Sequence, residues 1–208
     1  FNAYTSREKT VYFAKVLKED IETACEILAD IVQNSVYADE EIERERNVIL
    51  QEIAMSNDSP DDIIHDHFQN LAFPDQPLGR NILGPASNVK KFKRDDIVNY
   101  VKKHYHGENL FLTAAGNITH TELEKLAKKY FSNIKSQGET KDLPEKAQYQ
   151  GGSKTHKKEL EQTHLVTGYL AVDRHHEDYY KLCIFNSILG EGMASRLFQQ
   201  VREQHGLC

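Results

Sequence analysis

Residues 39–56, DEEIERERNVILQEIAMS, decide how the chain is read. Asp39, Glu40 and Glu41 open the stretch, and an acidic first turn suits the positive end of a helix dipole, with Asp39 the expected N-cap. Ile42, Glu45, Ile49, Glu52, Ile53 and Ser56 then recur at the three- and four-residue spacing of one helix face. Two carboxylates therefore stand in a row that should be apolar. Seven residues span about 10.5 Å of rise and stop about 20° short of two full turns. Glu45 and Glu52 thus point the same way but are too far apart to grip one small ion together. Spacing leaves two readings open. Either both acids lie at the edge of a half-buried helix and pair with cations such as Arg44 and Arg46, or one binds a metal and the other supports it by a hydrogen bond.

Outward from this helix the pattern continues. Ile21, Ala24, Cys25, Leu28, Ile31, Val32 and Ser35 mark an amphipathic helix over 19–35. Before it, Phe1–Thr5 and Thr10–Val16 read as strands. Pro60 opens a third helix from Asp61 to Phe73, and 74–79 is a loop. A short helix over 87–92, a longer one over 94–105 and a buried strand over 109–118 follow. Thr119, with Glu122 three residues on, forms a capping box for a helix reaching residue 133. Residues 135–152 are polar, turn-rich and aperiodic, the best linker candidate. Strand-like stretches at 153–159 and 163–172 and helices over 178–189 and 194–204 complete the chain. The order strand, strand, helix, helix of residues 1–56 recurs in 153–204. The expected fold is α+β and duplicated, with a first domain over 1–134, a linker over 135–152 and a truncated second copy over 153–208.

Composition removes several alternatives. The 208 residues carry 26 basic and 32 acidic side chains, net −6, which leaves no basic face for nucleic acid. No apolar run approaches the roughly 20 residues of a membrane span, so a soluble protein is expected. Cys25, Cys183 and Cys208 form neither a disulfide framework nor a CxxC site. Ten histidines are many, yet none are paired at i, i+4. His65 and His67 point to opposite sides of their helix, and His104, His106, His175 and His176 are expected at solvated element ends. The start at Phe1 and the stop at Gly206-Leu207-Cys208 read as cuts from a longer chain.

Several stretches then align in order with one family. They are Asn2-Ala3-Tyr4-Thr5-Ser6-Arg7-Glu8 with Thr10-Val11-Tyr12, Ile27 to Ile31, Glu43 to Glu52, Pro77-Leu78-Gly79-Arg80 with Ile82-Leu83-Gly84, Ala115-Gly116-Asn117, Ser195 to Phe198, and Val201-Arg202-Glu203 with Gly206-Leu207. The chain resembles the pitrilysin and mitochondrial processing peptidase family of zinc metallopeptidases, most of all the β-type processing subunit and its bacterial relatives.

The resemblance implies a zinc endopeptidase acting on peptides or targeting presequences, enclosed by a second family half or subunit. It implies Zn2+ held by two His of an H-x-x-E-H helix and by a downstream Glu, matched by Glu52, with Glu45 supporting it. H-x-x-E-H itself would fall before Phe1, so this chain alone is expected to hold no catalytic zinc and to cleave nothing. Asn2, Ala3 and Tyr4 match an edge strand to which substrate adds. Asp62 and Asp66 match an acidic pair that holds an arginine near the cleaved bond. Arg202 matches an Arg that steadies the substrate carbonyl, and its companion Tyr would fall just past Cys208. A bacterial cytoplasm or periplasm is expected in preference to the mitochondrial matrix. The competing expectation is a non-catalytic subunit that binds peptide or scaffolds an assembly.

Overall fold

Asn2–Thr5 (β1) and Thr10–Phe13 (β2) pair antiparallel, Ala3 opposite Tyr12 and Tyr4 opposite Val11, through a turn closed by Ser6 N–H donating to the Lys9 carbonyl at 2.8 Å. The computed structural model describes residues 1–136, 138 and 146–208, which divide into two compact units, Phe1–Val166 and Thr167–Cys208. In the first unit the hairpin is held at Tyr12. Its hydroxyl lies 3.0 Å from that of Tyr105, with the rings edge to face. Burial, and then the Tyr12 hydroxyl, push the Tyr105 phenol well above its ordinary range.

Helix α1 (Ile21–Asn34) presents Ala24, Cys25 and Ala29 as its buried face. These small side chains let α6 (His120–Phe131) approach closely. Polar bonds then fix the pair: the Gln33 side-chain amide donates to the Tyr130 carbonyl at 2.8 Å, and Lys129 meets Glu22 at 2.6 Å. The capping box forms as expected. Glu122 N–H donates to Thr119 Oγ1, while Glu122 Oε2 accepts the Thr119 backbone N–H at 2.8 Å. That backbone bond, followed by the Thr119 hydroxyl, holds the Glu122 carboxyl below its usual range.

Helix α2 (Asp39–Asp58) starts one residue earlier than expected, with Ala38 rather than Asp39 as N-cap and the three acids filling its first turn. Ser59 caps α3 (Pro60–Ala72), with Pro60 at the first helical position, where no N–H is needed. The following loop folds back on α3 through Gly79. A Cβ there would lie 2.0 Å from the Phe73 carbonyl oxygen, so only glycine fits. A short α4 (Ala86–Val89) and α5 (Arg94–His104) complete the helices before α6.

Residues 148–164 lie along α3. Gln148 and Gln76 exchange backbone and side-chain bonds at 2.7 and 2.8 Å, Gln150 N–H donates to the Ala72 carbonyl, and His164 meets Asp61 at 2.9 Å. The first compact unit therefore extends past residue 153, where a second domain was expected to begin. Of the linker expected over 135–152, residues 137 and 139–145 lie outside the described residues.

The strands expected over 109–118 and 153–172 are a difference between pattern and structure. Residues 107–109 form a 3-10 turn, and among the described residues only β1 and β2 pair. Phe111 is 89% exposed. Aliphatic and β-branched residues favour extended backbone, but a strand requires a neighbour to take its hydrogen bonds. In the second unit, α7 (Tyr179–Gly190) buries none of its residues, and Tyr180, Ile184, Phe185 and Ile188 are exposed. The final helix expected over 194–204 is a π-helix, Phe198–Gln204.

Candidate functional site

On α2 the half-buried row is Ile42, Arg46, Ile49, Leu50, Ile53 and Ser56. Glu45 and Glu52 are exposed and are not members of it, which corrects the core stripe inferred from spacing. At 100° per residue they lie about a quarter-turn round, together on one flank. The position given to Glu45 belongs to Arg46, whose long side chain covers apolar neighbours while its head reaches polar ones. The guanidinium donates to the carbonyls of Val89, at the end of α4, and of Phe92, the latter at 2.6 Å, and meets Glu43 at 2.9 Å. Arg44 pairs with Glu41. Neither arginine pairs with Glu45 or Glu52. The two acids lie exposed together on one flank of the helix.

Zinc takes three or four protein ligands. Among the described residues no group of three or more His, Cys, Asp or Glu is placed to hold a metal ion. Glu52 is at most one member of such a set, and these residues alone do not fit a zinc site.

The stretch expected to form an edge strand does so as β1. Asn2, Ala3 and Tyr4 are exposed in β1, whose other edge is unpaired among the described residues. The Ala3 N–H is taken by its neighbour's Asn2 Oδ1 at 2.8 Å, a bond an incoming strand could replace. Asp62 and Asp66 are one turn apart on α3, Asp62 exposed and Asp66 half-buried. Asn81, which spacing did not single out, donates its side-chain amide to Asp66 Oδ2, and its Oδ1 accepts the Leu83 N–H at 2.8 Å. The signal was an Asn just before a turn, the residue type that bonds backbone two positions on.

His65 and His67 diverge as expected. His67 stacks on His156 with ring centroids 3.9 Å apart and planes 3° from parallel. Burial first, then His156 and Lys154, hold His67 below its ordinary value of 6.5, with Asp66 opposing. A depressed histidine binds fewer protons folded than unfolded, so folding loses stability as pH falls from about 6.5 towards the folded value. The urea midpoint of the chain is expected to drop between about pH 7 and about pH 5, and His156→Phe, which keeps a stacked ring without a charge, to reduce that drop.

His106 corrects another expectation. It is 3% exposed rather than solvated, because Gly107 N–H bonds the Lys135 carbonyl and draws the turn inward. Its Nε2 meets Asn109 at 2.9 Å. Arg202 sits in the second unit, exposed, with its guanidinium 5.0 Å over the Phe198 ring. A cleft of about 860 Å³ among α1, α6 and the end of α5 is lined in part by His106 and contains none of Asn2, Ala3, Tyr4, Glu45, Glu52, Asp62, Asp66 or Arg202.

The architecture is that of M16 peptidase domains. A protease from Helicobacter pylori superposes with a TM-score of 0.82 at 21% identity, over 99% of this chain and 51% of that one. An M16 inactive domain from Pseudomonas fluorescens gives 0.72 at 16% identity, over 91% of this chain and 46% of that one. Residues 91–208 match the family described as "Peptidase M16 inactive domain", and residues 1–86 match "Insulinase (Peptidase family M16)". The chain belongs to peptidase family M16. It is 46% identical to an uncharacterized zinc protease of Rickettsia bellii and 37% identical to one of Bacillus subtilis, covering all of this chain and 50% of each relative. It is 40% identical to the mitochondrial-processing peptidase subunit beta of Bos taurus, over 91% of this chain and 39% of that protein. The chain spans about half the length of these bacterial relatives. No helix among the described residues is long and apolar enough to cross a membrane.

Proposed function

We propose that this chain is part of a zinc-dependent metalloendopeptidase that hydrolyses peptides or targeting presequences and favours arginine near the cleaved bond. The observation that carries the reading is the pair Glu45 and Glu52, exposed together on one flank of α2 and bonded by neither Arg44 nor Arg46. In this reading Glu52 is one zinc ligand and Glu45 supports it, with the remaining ligands supplied by residues other than those described. The substrate adds to β1 beside Asn2, Ala3 and Tyr4, so that backbone bonds give affinity independent of sequence. Arg202 contacts a substrate carbonyl. A second family half or subunit closes the chamber. In sequence terms a first family domain runs over 1–134, a linker over 135–152 and the start of a second over 153–208, a division by homology that differs from the compact units of the fold. The setting is a bacterial cytoplasm or periplasm, a preference supported by the bacterial relatives.

The test is a family-length polypeptide that includes these residues. It should carry about one zinc per chain and cut an unstructured peptide in a chelator-sensitive way, whereas the 208-residue chain alone should retain no stoichiometric zinc and cut nothing. Zinc-free, inactive family-length protein would favour the non-catalytic subunit.

Asp62 and Asp66 suit a guanidinium, whose fork of donors matches paired carboxylates. The double variant Asp62→Asn, Asp66→Asn is expected to lower kcat/KM for an arginine peptide at least about tenfold relative to its citrulline counterpart. Paired steady-state kinetics on the two peptides check this, and equal cleavage of both by the unaltered enzyme would remove the arginine preference from the proposal.

A further inference from the structure

We propose that Asn81 is the positioning residue of the arginine site: its amide fixes one oxygen of Asp66 and leaves the other to the substrate guanidinium. The inference rests on the arginine-binding reading of Asp62 and Asp66 given above. Its observation is separate, namely the way Asn81 itself is held. Asn81 Oδ1 accepts the Leu83 N–H at 2.8 Å, and the Asn81 carbonyl accepts the Gly84 N–H at 3.2 Å. Gly84 has φ +69°, the left-handed conformation this turn needs and glycine adopts freely. With Oδ1 committed to backbone, Nδ2 must be the end that faces Asp66, and it donates to Oδ2. The donor is thus set by the turn before any ligand arrives.

Two features make this an orienting contact suited to a cationic ligand. Asn81 is neutral, so it orders the carboxylate without cancelling its charge, as a lysine or arginine in its place would. It is also the only side chain among the described residues that donates to Asp66, so without it the carboxylate would have to be ordered on binding, at a cost to affinity. Asp62, one turn earlier, is exposed and supplies the second carboxylate. A half-buried, pre-set acid beside an exposed, adaptable one can hold both edges of a planar guanidinium.

The experiment compares arginine and citrulline versions of one peptide on the family-length enzyme carrying Asn81→Ser or Asn81→Ala. The serine hydroxyl still bonds the turn backbone but is too short to reach Asp66, which separates the turn from the donor. The expected result is an arginine-to-citrulline ratio of kcat/KM reduced about tenfold in both variants. The loss should sit in KM for the arginine peptide, and Asn81→Ser should add nothing further to an Asp66→Asn background. If the unaltered enzyme prefers arginine and the variants keep that preference, or lose rate equally on both peptides, Asn81 is only a turn residue and the inference is overturned while the arginine site stands. If the unaltered enzyme shows no arginine preference, both fall together.

Discussion

Glu52→Gln in the family-length polypeptide is expected to reduce peptide hydrolysis by at least about 100-fold and to release most of its zinc. Changing a group that merely hydrogen-bonds a metal ligand already costs about 10–100-fold in affinity or activity, and a ligand itself should cost more. Glu45→Gln should fall within that lower range, with zinc partly retained. Both side chains are exposed on α2. Substitutions at such positions change stability by only about 0.5 kcal/mol, so the 208-residue chain carrying either one should melt as the unaltered chain does. The pair of results separates chemistry from folding. Metal content by atomic emission, rate on a quenched fluorescent peptide and a thermal melt check them together. Full activity in Glu52→Gln would remove this helix from the catalytic centre.

The second large effect is on stability. Arg46→Met should lower the Tm of the chain by about 5 °C or more, because it strips two carbonyls, those of Val89 and Phe92, of a charged donor while roughly keeping the apolar stem. Val89 is itself buried, at the end of α4, where a helix leaves carbonyls without partners. Glu43→Gln, which removes only the exposed partner of the same arginine, should shift Tm by much less. A thermal melt followed by far-UV circular dichroism distinguishes the two. Equal shifts would mean that the ion pair, and not the carbonyl contacts, ties α2 to the segment after it.

Helices α3 and α6 were legible because local signs mark where they begin. Thr119 and Glu122 mark a start that the structure reproduces bond for bond, and Pro60 marks another. Spacing on α2 was less informative. It placed Glu45 and Glu52 in the buried row because it ranked positions by angle and treated arginine as an outsider. Arg46 can lie in a half-buried row because its stem is apolar and its head finds carbonyls 43 and 46 residues further along. No local rule reveals partners at that separation. The strands failed for a related reason. Residues 109–118 have the composition of a strand, but a strand is a relation between two segments, and composition describes only one. His106 was misplaced because distant residues meet it, Lys135 at the adjoining turn and Gly138 against its ring. The resemblance picks out residues by position alone, and the contact that joins Asp66 to Asn81 was not legible that way, since it spans a helix and the loop after it.

Gly79 bears on how selection in this family should be interpreted. Its missing side chain is a matter of clearance from the Phe73 carbonyl, and it makes no contact with Glu52 or Asp66 in the contacts described above. In a survey of viable variants, position 79 would be as intolerant as a zinc ligand, and it sits between Leu78 and Arg80 in a stretch that matches the processing peptidases. Intolerance there records the room available to a backbone and carries no information about peptides or metal. A map of constraint across this chain would therefore mix two kinds of site, and only a substrate-dependent readout would tell the architectural glycine from the acids proposed to bind metal or substrate.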